Sequence, residues 1–173
     1  MGVGAILWTA SRAIALVEKW AAVLLILVMT TAVAMQVVWR YVLSLPLAWT
    51  EEAARLAMIW MVFMVVGWAI RNRTHIAAGF LVQGLPAQAQ RWVRVVSTAT
   101  IAGFSVLLLI TGTRLVILQS VAANTPLGLP RSVFSLQVPV SAFFVLIHTL
   151  DLLWQDLAGG GSGPGPTSAE LQP

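Results

Sequence analysis

The chain has 173 residues, of which 59% are hydrophobic and 9% charged, where an average soluble domain carries roughly 25% charged residues; its mean hydropathy is +0.89. That balance points to an integral membrane protein and leaves no length for a sizeable soluble domain. The absence of cysteine excludes disulfides, zinc–cysteine sites and thiol catalysis, and the ten basic residues against six acidic ones are scattered singly, unlike the clustered basic face of a nucleic-acid binder.

Residues 1–19 are mildly amphipathic. Ile6, Leu7, Ala10, Ala13, Ile14 and Val17 recur at helical spacing, and Trp8, Arg12 and Lys19 suit an interface. Two readings stand for this stretch: a helix lying on the cytoplasmic leaflet, or the extended start of the first span. No small-x-small cleavage site with a polar sequel follows the first apolar run, so that run reads as a permanent span. Residues 20–38 are uncharged, close to the ~20 residues that cross the hydrocarbon, and are flanked by Trp20 and Trp39. Thr30, Thr31 and Gln36 read as bonds to backbone or to a neighbouring helix, set against a direct substrate or ion role.

A hinge follows, from Arg40 to Trp49. Pro46 ends the first helix by or before Leu45, and Thr50 is expected to cap the second. Glu51 and Glu52 fall in a first turn, where the helix dipole favours acids, and Arg55 is spaced to pair with either. Leu56 to Ile70 covers only about 22 Å, so the helix must include the charged turn in order to span. This sets Glu51, Glu52 and Arg55 at the interface beside Tyr41 and Trp49. The cluster reads either as a capped helix start with a solvated ion pair or as a packing and docking site.

Arg71, Arg73 and His75 end the second span. Residues 76–85 read as a half-buried connector, and Pro86 as part of the first turn of the next helix. Residues 94–113 form the third span, where Ala99 and Gly103 make a small-xxx-small pair that admits another helix. The NTPLGLP stretch, Asn124 to Pro130, is a stiff loop. The fourth span, about 133–154, contains Pro139, which is expected to kink it. His148 and Asp151 stand one turn apart near its end and read as a satisfied polar contact or a proton relay.

The expected fold is therefore an all-α integral membrane protein: a four-helix transmembrane domain over 1–158 (spans about 20–38, 51–70, 94–113 and 133–154), with a short charged hinge between the first and second spans. A disordered Gly/Pro/Ser-rich tail over 159–173 follows. Four spans put both termini on one side, with Arg12, Lys19, Arg71, Arg73, Arg91 and Arg94. Arg40, Arg55, Arg114 and Arg131 fall on the other, so the bias is toward cytoplasmic termini.

One ordered set of residues carries more than pattern. It comprises Arg40-Tyr41, then Pro46-Leu47-x-Trp49-x-Glu51-Glu52-x-x-Arg55, Trp60, Phe63, Gly67, Arg71 and His75-Ile76, and later Leu127-Gly128-Leu129-Pro130 and Val138-Pro139-Val140. On a four-span chain of this size the set resembles the small (DctQ-type) membrane subunit of tripartite ATP-independent periplasmic, or TRAP, transporters. Where that family often carries an acid after the His-Ile pair, this chain reads Ala77-Ala78-Gly79. The resemblance implies a non-catalytic subunit in the bacterial inner membrane that braces a large membrane subunit. That large subunit would carry the sodium and organic-anion (carboxylate-type) sites, and a periplasmic binding protein would deliver the substrate. No catalytic, substrate-binding or metal-ligating residue and no cofactor is expected in this chain. The structural or partner-docking residues are Arg40, Tyr41, Pro46, Trp49, Glu51, Glu52 and Arg55, and the helix-packing residues Ala99, Gly103, Pro130 and Pro139. Two rival readings are a haem-bearing anchor of an oxidoreductase, using His75 and His148 as axial ligands, and a self-contained channel or exporter.

Overall fold

The computed structural model describes residues 3–44, 48–72, 86–121, 125 and 127–157. Pro46, Arg73, His75, the 76–85 connector, Asn124, Pro126 and the 159–173 tail lie outside the described residues. Five helices occur in order: α1 (Val3–Tyr41), α2 (Ala48–Arg71), α3 (Ala87–Gln119), the single turn α4 (Ser132–Ser135) and α5 (Gln137–Leu157). Four helical segments are long and apolar enough to cross a membrane, α4 and α5 together forming the last. The protein is a multi-pass membrane protein.

The helices outrun the expected spans. α1 is continuous over 39 residues, about 58 Å, which settles residues 3–19 as the extended start of the first span. α2 begins at Ala48, so Thr50 is not its N-cap: it lies inside the helix and is wholly buried, whereas a cap has extended backbone. Pro86 is the residue before α3 and not part of its first turn, with ψ at 147° and its carbonyl accepting the Gln90 N–H. The last span is interrupted at Leu136, three residues ahead of Pro139. The proline has no N–H for the Ser135 carbonyl and its ring crowds that group, so the break falls one turn upstream.

α5 is the central helix. It packs on α3, α2 and α1, while α1 packs chiefly on α2. Its inward stripe is Ser141, Val145, His148, Leu152 and Asp156, a helical period that mixes apolar and polar groups. The outward faces are the apolar ones: Leu24, Leu27, Phe104 and Leu107 are each more than half exposed. In lipid this arrangement carries no penalty, because acyl chains are as apolar as leucine.

Small residues set the helix approach. Gly112 receives the Val138–Pro139 elbow, where a Cβ would stand 2.8 Å from Val138 Cγ1. Gly103, by contrast, meets nothing within 4 Å, and Ala99 is also exposed. Among the described residues the Ala99–Gly103 pair therefore packs against no other helix. On the far side, Gly128 turns the loop at φ +75°, a backbone that L-residues rarely adopt, and its N–H donates to the Thr125 carbonyl at 2.7 Å.

Candidate functional site

The densest polar structure lies where α1, α2 and α5 meet at the end of the bundle bearing the N-terminus. Ser11 and Glu18 share one face of α1, seven residues apart, and both are wholly buried. His148 of α5, also wholly buried, stands between them. Its Nδ1 is 2.9 Å from Ser11 Oγ, and its Nε2 is 3.0 Å from Glu18 Oε2. Arg71, the last residue of α2, donates from Nη1 to Ser11 Oγ and lies 3.8 Å from Asp151 Oδ2. Arg94 of α3 reaches Asp156 at 3.8 Å, and Arg91 donates to the Leu157 carbonyl at 3.1 Å, so all four spanning segments are tied at this end.

Donor and acceptor inventory gives the chain of bonds a direction. Arg71 can only donate, so Ser11 Oγ accepts from it, and the ring donates from Nε2 to the Glu18 carboxylate. A neutral ring takes the Ser11 O–H at Nδ1, whereas the imidazolium donates from Nδ1 to the second lone pair of Ser11. Glu18 reaches this position because residue 67 is glycine: a Cβ there would stand 2.0 Å from Glu18 Oε1. Glu18 Oε1 and Asp151 Oδ1 are buried with no hydrogen-bond partner among the described residues, so Arg71 and His148 carry the compensation.

A serine, a histidine and a carboxylate in line have the composition of a nucleophilic triad, but the geometry opposes that chemistry. All three are sealed from solvent, and Arg71 occupies a lone pair of the hydroxyl. The haem reading meets a similar obstacle: both ring nitrogens of His148 are engaged within the chain. The expected His148–Asp151 contact is also replaced, since His148 bonds Ser11 and Glu18 while Asp151 faces Arg71.

At the opposite end the sequence-derived residues divide. Arg55 pairs with Glu51 at 2.9 Å, with both side chains more than half exposed. Glu52 turns the other way and accepts the Leu127 N–H at 3.0 Å, fastening the loop ahead of α4 to the start of α2. Arg40 lies over the Tyr41 ring at 6.0 Å, and Trp49 is exposed. Pro130, whose carbonyl accepts the Val133 N–H, leads the chain into α4. An apolar groove of about 400 Å³ opens between α3 and α5, lined by Leu109, Thr113, Leu136, Pro139, Phe143 and neighbours. Its lining offers no charged group to an organic anion.

Sequence reasoning missed Ser11, Glu18 and the role of Gly67. The available signal was a carboxylate seven residues after a serine on one helical face, a spacing that by itself carries no mark of burial.

Residues 29–159 match the family described as "Tripartite ATP-independent periplasmic transporters, DctQ component", which is more than half of the chain. No curated protein matches it. The matched region contains Arg71, His148 and Asp151 but begins after Ser11 and Glu18.

Proposed function

We propose, from the premise that the chain belongs to the DctQ family of TRAP small membrane subunits, that it is the non-catalytic brace of a sodium-coupled secondary transporter for a carboxylate-type organic anion. Members of this family work with a large membrane subunit and a substrate-binding protein. In this reading the large subunit moves the cargo by alternating access, and this chain enlarges the static part of the assembly in the bacterial inner membrane, with cytoplasmic termini.

The observation that carries the reading is the direction in which the polar groups point. At the N-terminal end the acids bond inward across four helices. This ties α1, α2, α3 and α5 into one unit and leaves the apolar faces of α1 and α3 turned outward. A rigid apolar body with one displayed charged hinge suits packing against a larger membrane protein. The hinge residues Arg40, Tyr41, Pro46, Trp49, Glu51, Glu52 and Arg55 are the proposed docking site, and Ala99 and Gly103 are proposed to face a partner helix.

The test is a tagged purification from native membrane in mild detergent. Recovery of one much larger polytopic protein at equal stoichiometry supports the role, and sodium-dependent uptake of a carboxylate in liposomes with the binding protein added supports the mechanism. Recovery of the chain alone, or with a haem or flavin protein, refutes it.

A further inference from the structure

The inward turn of the acids has an effect on the outer surface. At the N-terminal end Glu18, Asp151 and Asp156 are all at least 97% buried and bonded within the bundle. The exposed charged groups at that end, among the described residues, are Arg12, Lys19 and Arg91, all basic. The surface is more cationic than the sequence suggests, because its carboxylates face the core.

On α1 these charges are ordered. Trp8, Arg12 and Lys19 occupy one stripe, at offsets of four and eleven residues. The Arg12 guanidinium lies over the Trp8 ring at 5.3 Å, and Trp20 beside Lys19 is 66% exposed. Depth is fixed by contacts. Ser11 meets Arg71 at the last residue of α2, so Arg12 stands where that span leaves the hydrocarbon. Lys19 is about 10 Å deeper along the helix, from where its long side chain reaches back toward the interface. Leu16 is exposed on the same side of the helix between the two charges, and Val23 continues that side one turn below Lys19.

We propose that this Trp8–Arg12–Lys19–Trp20 surface binds an anionic phospholipid, its phosphate held between Arg12 and Lys19 and its acyl chains along Leu16 and Val23. A lipid offers negative charge at one level and hydrocarbon just beneath it, which is the order this stripe presents. A protein partner would have to bring an acid to this level and desolvate it beside an apolar face, a cost that a phosphate already resident at the interface does not meet. The inference does not rest on the transport role or on which leaflet is involved.

The experiment is native mass spectrometry of the full chain, with any subunits it retains, in detergent with equal phosphatidylglycerol and phosphatidylcholine. The wild type should retain phosphatidylglycerol about 25-fold over phosphatidylcholine, about fivefold for each of the two basic side chains. Arg12→Gln with Lys19→Gln should cut the preference about fivefold for each charge removed, the attraction of one basic side chain to an anionic surface. The charge-conserving pair Arg12→Lys with Lys19→Arg should keep most of it. Arg114→Gln with Arg131→Gln at the far end should leave it unchanged. The proposal is overturned by a wild type without preference, by preference surviving the double glutamine variant, or by equal loss in the far-end control. It is equally overturned if Lys19 cross-links to a carboxylate of another membrane protein while no lipid is retained.

Discussion

At the N-terminal end of the bundle, Ser11, Glu18, His148 and Asp151 are buried and Arg71 half-buried, drawn together from three helices, whereas at the hinge Glu51 and Arg55 neighbour each other on one helix and remain exposed. The first arrangement is long-range and desolvated, so each member depends on the others. The second is local and screened, worth about 0.5 kcal/mol or less to the fold. The difference teaches that charge in a membrane helix bundle can serve the chain's own architecture at one end and be kept for other molecules at the other.

The comparison breaks most readily at Arg71. Arg71→Ala leaves the Glu18 and Asp151 carboxylates buried with much less compensation, and about 3–5 kcal/mol of stability should be lost. A denaturation midpoint in detergent checks this, and an unchanged midpoint would mean that the cluster does not hold the helices. Gly67→Ala comes next. Alanine gains about 1 kcal/mol of helix propensity, but its Cβ collides with the Glu18 carboxylate, and overpacking costs about 1–3 kcal/mol. A net loss there, beside a neutral or stabilising Gly103→Ala, would separate the glycine that faces a side chain from the one that faces open space. A net gain at both positions would refute the distinction.

The hinge predictions are smaller for the fold. Glu52→Ala removes the charged acceptor of the Leu127 N–H, worth about 1.5–3 kcal/mol locally, and should speed hydrogen exchange at the Leu127 amide while the N-terminal cluster keeps its protection. Arg55→Ala should shift the stability of the isolated chain by about 0.5 kcal/mol or less, yet lower the yield of complex with a larger membrane subunit. Wild-type yield would remove Arg55 from the docking site.

Much of this protein is legible without coordinates. Apolar length and the spacing of charges are local properties, so the four spans and the Glu51–Arg55 pair could be read directly, and the ordered hinge and loop residues pointed to the family that residues 29–159 match. What only the tertiary structure decided is which face of each helix turns inward. In a soluble bundle the apolar stripe reveals that face; in lipid both faces are apolar, and the periodic signal is lost. Nothing local therefore separated Gly112, which receives the Val138–Pro139 elbow, from Gly103, which meets none of the other described residues. Nor did anything mark Glu18 as buried, because its partner His148 lies 130 residues away and reaches it only once α5 has packed against α1.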